Sequence, residues 1–246
     1  MKTITNIILD SLYLEEIPEF IGEIDRVEGS FYTSYVELGG NNLKNLKNCP
    51  QYIDGALYCV DSKLRSLEGG PRIVTGAFNV ATNQLTDLVG APDEVFELVV
   101  IENPLTSLNG CTQKLVSFNA SYCDLRSLVG GPTTLRSNPI KGHPQYYKVD
   151  YNRKLTSLEG APTEAPGSFN ASSCALENLI GAPEYVGRDF VVSFNPLKSL
   201  EGCPKRVGKD FFCKPITEDI KAGTAVRFTE EQIRSVCDVK GYVYVF

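Results

Sequence analysis

Eight cysteines and a single histidine, His143, carry most of the nucleophilic and metal-binding potential of this 246-residue chain. Zinc needs thiolates or imidazoles that converge from close spacing. No Cys-x-x-Cys pair occurs, and one histidine cannot supply a histidine cage or a scheme that needs two imidazoles. Cys237 is followed by an acid, Asp238, but a nucleophile also needs a base and a formed pocket. His143 has no serine or cysteine partner that spacing sets near it. No Gly-x-Gly-x-x-Gly follows a strand and no phosphate loop is present. The expectation is a chain that is not an enzyme, with no catalytic residue, no metal site and no cofactor.

Charge narrows the partners. Lys plus Arg number 24 against 30 Asp plus Glu, a net charge of −6. Displacing counterions from phosphates requires clustered cations, so a nucleic-acid partner and a basic membrane-surface role are both disfavoured. With 42% hydrophobic and 22% charged residues the chain can build a substantial core. No run of eighteen apolar residues suggests a membrane span. The apolar stretch before Asp10 is too short for a secretory signal, which gives a cytoplasmic expectation. In that compartment the cysteines read as buried thiols. The sequons Asn119-Ala120-Ser121 and Asn170-Ala171-Ser172 then carry no glycosylation expectation.

What would position any functional side chain is a repeat. Leu-x-x-Leu occurs at Leu43/Leu46, Leu64/Leu67, Leu85/Leu88, Leu105/Leu108, Leu125/Leu128, Leu155/Leu158, Leu176/Leu179 and Leu197/Leu200. Successive first leucines lie 21, 21, 20, 20, 30, 21 and 21 residues apart. Upstream of each mark is apolar-x-apolar-x-x-Asn-x-Leu, clearest in Phe78, Val80, Asn83, Leu85 and in Phe190, Val192, Asn195, Leu197. It recurs at Val36, Leu38, Asn41 and Leu43. Cys123, Cys174 and Ser62 replace the asparagine in three units, and the Tyr147, Val149, Asn152 unit has one extra residue before Leu155. Downstream comes Gly-x-Pro, as in Gly90/Pro92 and Gly181/Pro183.

Alternating apolar residues imply a short strand with every second side chain inward. The chain must then bend, and a buried asparagine amide can donate to and accept from backbone groups that the bend leaves unpaired. Glycine permits a positive φ and proline fixes the extended return. One coil cannot bury its own leucines, so coils must stack, with their strands paired in parallel.

The pattern L-x-L-x-x-N/C-x-L at 20 to 21 residues resembles the leucine-rich repeat family. The form Ser-Leu-Glu-Gly-x-Pro, as in Ser157 to Pro162 and Ser199 to Pro204, is similar to repeats of tailed bacteriophages and some bacteria. The resemblance implies a mainly β repeat solenoid, a right-handed superhelix with a parallel concave sheet, that binds another macromolecule, usually a protein. Some bacterial effectors join such repeats to a ubiquitin-ligase domain with a catalytic Cys-x-Asp; in this chain Asp238 directly follows Cys237, which departs from that pattern.

Three segments are expected: an N-terminal cap over 1–30, about eight repeats over 31–214 interrupted at 130–147, and a small mixed α/β C-terminal cap over 215–246. In the last, Ala225 to Phe228 reads as a strand, Thr229 as the cap of a helix with Gln232 in the reciprocal position, and Tyr242 to Phe246 as a final strand. Alternation assigns one outward column to Glu37, Tyr58, Asn79, Val99, Asn119, Lys148, Asn170, Val191 and Phe212, and a second that includes Gly39, Val60, Ala81, Ile101, Ser121 and Asp150. Tyr58 with Val60, Val99 with Ile101, and Val191 with Phe212 make apolar islands. With Lys148, Asp150 and the interruption residues His143 and Tyr146 they are the candidate partner-binding set. The resulting expectation is a non-catalytic module that binds a protein through this face and the 130–147 segment, in its sharper form a phage protein inhibiting a host defence protein in the bacterial cytoplasm. The alternative is a structural or assembly protein that self-associates or packs into a larger particle.

Overall fold

A computed structural model describes residues 2–9, 14–33 and 41–246. The repeat residues Val36 and Leu38 and the outward positions Glu37 and Gly39 lie outside the described residues. The chain divides into two compact units, residues 1–120 and 121–246, and each is a mainly β, parallel solenoid. No helix among the described residues is long and apolar enough to cross a membrane.

In the first unit, β1 (Thr3–Ile8), β2 (Arg26–Tyr32), β3 (Tyr52–Asp54) with β4 (Leu57–Tyr58), β5 (Ile73–Asn79), β6 (Glu94–Val99) and β7 (Ser117–Asn119) form one parallel ladder in chain order. β3 and β4 are two pieces of one coil, and both pair with β2 and β5. The step from a 21-residue to a 20-residue coil is visible as a register shift: Val74 faces Val95, whereas Ala77 faces Glu97. Inward positions stack in columns, Phe31, Leu57, Phe78, Leu98 and Phe118 in one of them, all fully buried. The leucines from Leu43 through Leu108 are fully buried as well, each worth about 1.5 to 3 kcal/mol of transfer free energy.

The second unit has two ladders. One joins β8 (Tyr146–Lys148), β10 (Ser168–Asn170), β12 (Phe190–Val191), β14 (Phe211–Phe212) and β16 (Val243–Tyr244). The other joins β9 (Glu164–Ala165), β11 (Tyr185–Val186), β13 (Arg206–Val207) and β15 (Asp238–Val239). The second ladder arises from a Pro-x-x-apolar spacing: Ala165, Val186 and Val207 lie three residues after Pro162, Pro183 and Pro204 and are buried. Tyr147, Phe169, Phe190 and Phe211 stack through the core with ring centroids 5.3, 5.7 and 5.1 Å apart. Leu155, Leu158, Leu176 and Leu179 are fully buried, and Leu200, in the last pair, is half-buried.

The bend chemistry is explicit. Asn195 Oδ1 accepts from the amides of Cys174 and Leu176 in the preceding coil, both at 3.1 Å. Its Nδ2 donates to Ala171 O at 2.8 Å and Val192 O at 3.0 Å. Asn83 repeats this arrangement in the first unit on Ser62, Leu64, Cys59 and Val80. Cys174 keeps the donor half, with its thiol directed at Val149 O at 3.4 Å. Ahead of the second leucine, Ser66, Asp87, Ser107, Ser127, Ser157, Asn178 and Ser199 each accept from the amide two residues on, at 3.0 to 3.4 Å. That turn explains the serine of Ser-Leu-Glu-Gly. The following glycine has no alternative: Gly181 has φ 87°, and a Cβ there would sit 2.3 Å from Glu159 N.

The C-terminal segment differs in part from expectation. α2 (Glu230–Val236) starts at Thr229 with the reciprocal Gln232 bonds and ends at Cys237. α1 (Thr217–Ala222) precedes it, a six-residue helix with no buried residue and therefore no apolar periodicity to read. Ala225 to Phe228 is not a strand. Ala225 and Phe228 are the buried residues, three apart, while Val226 and Arg227 between them are exposed, so the segment lacks the two-residue period a strand needs. The final strand is shorter than expected, Val243–Tyr244.

Replacing Asn195 with alanine leaves two amides and two carbonyls without their side-chain partner. At about 1 to 3 kcal/mol per unsatisfied buried group, partly offset by relaxation, a loss of about 3 kcal/mol is expected. Cys174→Ala removes one weak donor and should cost about 1 kcal/mol. Urea denaturation of both variants measures the difference; equal losses would contradict the bridging role.

Candidate functional site

Because strands pair in parallel and in register, outward residues of successive coils line up. In the first unit Tyr58, Asn79, Val99 and Asn119 form one column. Tyr58 stacks on Tyr32 with centroids 5.0 Å apart, and burial beside Tyr32 and Glu97 holds its phenol above the ordinary value of 10.0, as a neutral donor. Val60, Ala81 and Ile101 form the next column, shown by the amide bonds Asp61 N to Ala81 O and Thr82 N to Ile101 O, and all three are half-buried. Val99 corrects the expectation of an exposed island. It is only 9% accessible, clamped between Asn79 and Asn119, and offers little surface to a partner.

In the second unit Lys148, Asn170, Val191, Phe212 and Tyr244 share a column. Phe212 and Tyr244 stack at 4.5 Å with planes 6° apart. Asp150 accepts from Ser121 Oγ at 2.6 Å. His143 is exposed, with Nδ1 3.0 Å from Pro144 O, and Tyr146 carries the Lys148 ammonium 4.6 Å from its ring centroid. The structure thus joins Val191 to Phe212 and Tyr146 to Lys148 as contacts, and places Tyr58, Val60, Val99 and Ile101 on a separate stretch of ladder in the first unit.

A third outward column was not read from the sequence. The residue immediately before each bend slot, Asp61, Thr82, Glu102, Tyr122, Tyr151, Ser173 and Phe194, has a φ between 49° and 60°. That left-handed geometry turns the side chain to solvent. Tyr122, 50% exposed, stacks on Tyr151 with centroids 4.2 Å apart, and Phe194 is exposed further along. The signal available was the column itself, the position one before Asn or Cys in every unit.

The thiols are placed for packing. All eight are free, and every one except Cys203 is buried. Burial pushes Cys59, Cys174 and Cys213 up to about 12 from an ordinary 9.0. Such thiols hold their protons and are poor nucleophiles. Cys203 and Cys237 share a hydrogen bond, which together with burial raises the Cys203 value. The 130–147 interruption brings Cys123 and Cys174 to within two coils, with Asn152 between them, since Leu125 N donates to Asn152 Oδ1 and Cys174 Sγ approaches Val149 O. Among the described residues no three His, Cys, Asp or Glu side chains converge as a metal cage would require.

At about pH 8 a small maleimide should modify the half-buried Cys203 of the folded protein only slowly, because burial and its hydrogen bond with Cys237 hold its proton, should leave Cys59, Cys174 and Cys213 unmodified, and should reach all eight thiols only after unfolding. Peptide mapping by mass spectrometry checks this; fast labelling of Cys59, Cys174 or Cys213 would show coils that open readily. No family model matches the chain, and no curated protein matches it.

Proposed function

We propose that the protein is a leucine-rich-repeat protein of the bacteriophage and bacterial type, and that it works by binding another protein without catalysis. The supporting observation is the set of aligned outward columns. They present Tyr58, Val60 and Ile101 in one unit and Tyr122, Tyr151, Phe194 and Phe212 in the other, on a backbone whose outward positions are fixed by the ladder. Rigid aromatic side chains lose little entropy on binding and are prominent among the residues that dominate interface energetics, and branched apolar neighbours help to exclude water around them. Burial holds the protons of Cys59, Cys174 and Cys213; Cys237, lowered by its hydrogen bond with Cys203, is itself buried; and His143 lines a cleft that contains no thiol, which favours binding over catalysis. Inhibition of a host defence protein in the bacterial cytoplasm is the sharper form of the reading.

Capture of partners from bacterial lysate by the wild type and by Val60→Asp/Ile101→Asp, with mass spectrometry of what is retained, tests it. Both side chains are half-buried on the outward face, so the double variant should keep its thermal midpoint while losing the partner. Undiminished capture would remove the face from the proposal.

One observation favours self-assembly as a second reading. Among the described residues β16 pairs with β14 alone, and Tyr242, 72% exposed, and Tyr244 flank that edge. An unprotected edge beside aromatics invites strand addition. Light scattering over a concentration series separates the two: growth with concentration supports assembly, and a constant monomer mass supports the binder.

A further inference from the structure

The chain is acidic overall, with a net charge of −6, yet the charged side chains that line one cleft are three cations, Lys141, Lys148 and Arg188, and a single acid. The cleft, about 480 Å³, lies in the second unit between residues 138–146 and the strand edges at 166–168 and 188–189. Lys141, His143, Tyr146, Lys148, Arg188 and Asp189 line it. Its single carboxylate is already neutralised: Asp189 takes Lys209 Nζ at 3.2 Å and Ser168 Oγ at 3.3 Å. Among the described residues Lys141 and Arg188 form no ion pair, and the Lys148 ammonium rests on the Tyr146 ring.

The walls are built. Asn138 Oδ1 accepts from Ile140 N at 2.9 Å and its Nδ2 donates to His143 O at 2.8 Å, which closes the tip of the loop. Gln145 Nε2 ties the loop base to Arg136 O at 2.8 Å. Opposite, the backbone of Gly167 approaches so closely that a Cβ would lie 1.9 Å from Gln145 O. Lys148 belongs both to the cleft and to the outward column Lys148, Asn170, Val191. A partner seated on that column therefore reaches the cleft.

We propose that this cleft anchors an acidic segment, rich in Asp and Glu, of the protein partner. The assignment rests on the binding reading above and specifies the chemistry of what is bound. Cations gathered around a concave site attract carboxylates more strongly than the same charges on an open surface, and they set orientation as well as affinity. Lys141 lies on the loop wall and Arg188 on the strand-edge wall, so that two cations from separate segments line the one cleft, a placement suited to successive carboxylates on an extended peptide.

Fluorescein-labelled octaglutamate, followed by anisotropy in about 50 mM salt, tests the cleft with a defined probe. Saturable binding to the full chain is expected, with none for a labelled Gly-Ser octapeptide. Lys141→Glu/Arg188→Glu should weaken the binding by about tenfold or more, while Lys198→Glu, on a pair with Glu177 away from the cleft, leaves it unchanged. Both reversed residues are exposed, and circular dichroism confirms that the fold is kept. No saturable binding, equal loss in the Lys198 variant, or binding of tripolyphosphate without octaglutamate would each overturn the proposal. The Val60→Asp/Ile101→Asp variant separates the two readings: it should bind octaglutamate normally, so failure of partner capture and failure of the cleft are read independently.

Discussion

A buried carboxamide that reaches backward by one coil sets the geometry of the stack. At each bend the backbone leaves two amides and two carbonyls facing a dry interior, where unpaired polar groups are expensive. Asparagine can both accept and donate, so a single side chain serves its own coil and the one before it. Asn83 and Asn195 each accept from amides 21 and 19 residues upstream. The interval between coils is therefore a hydrogen-bond requirement as well as a packing one. Where the chain carries extra residues they are expelled from the ladder: Asn152 still accepts from Leu125 N, 27 residues upstream, and the surplus forms the wall of the cationic cleft.

The same bend creates the exposed surface. At the same bend the residue before the inward slot, whether that slot holds asparagine, cysteine or serine, adopts left-handed backbone, which costs roughly 1 to 2 kcal/mol for a residue other than glycine. That residue faces water. In the second unit it is Tyr122, Tyr151, Ser173 and Phe194, and the first two stack. A constraint that stabilises the interior thus sets out aromatic side chains in a fixed row. This connects the packing of the coil to the binding function proposed for it.

Features with a strict period were legible in the sequence, and those that depend on compensation were not. The leucines, the inward Phe78 and Phe190, the bend asparagines and the Gly-x-Pro turns recur at constant offsets because each answers a need of every coil. The Pro-x-x-apolar spacing behind β11 and β13 was equally periodic, but one apolar residue in isolation does not announce a strand. Ala225 to Phe228 looked like a strand from its composition, although its burial period is three. Val99 followed the alternation correctly and still lacks exposure, since its neighbours Asn79 and Asn119 cover it. Of the candidate site, Tyr146 and His143 could be named from the interruption and Lys148 from the alternation of the outward column. Arg188 could not, because its place in the cleft comes from the stacking of a later coil.

The cysteine in the slot after the interruption shows how closely the coils are coupled. Cys174 can donate to Val149 O and its sulfur receives the Asn152 amide, yet it has no second acceptor for the amide that an asparagine would also serve, that of Leu155. Leu155 N instead donates to Asn152 O at 2.9 Å, within its own coil. That local turn exists because Asn152 and Leu155 are three residues apart, where Asn83 and Leu85, or Asn195 and Leu197, are two apart. The extra residue in one coil and the thiol in the next thus answer each other. Asparagine at 174 would compete with a bond already made, whereas shortening the coil at 153–154 would leave the Leu155 amide facing a sulfur that the Asn152 amide already occupies.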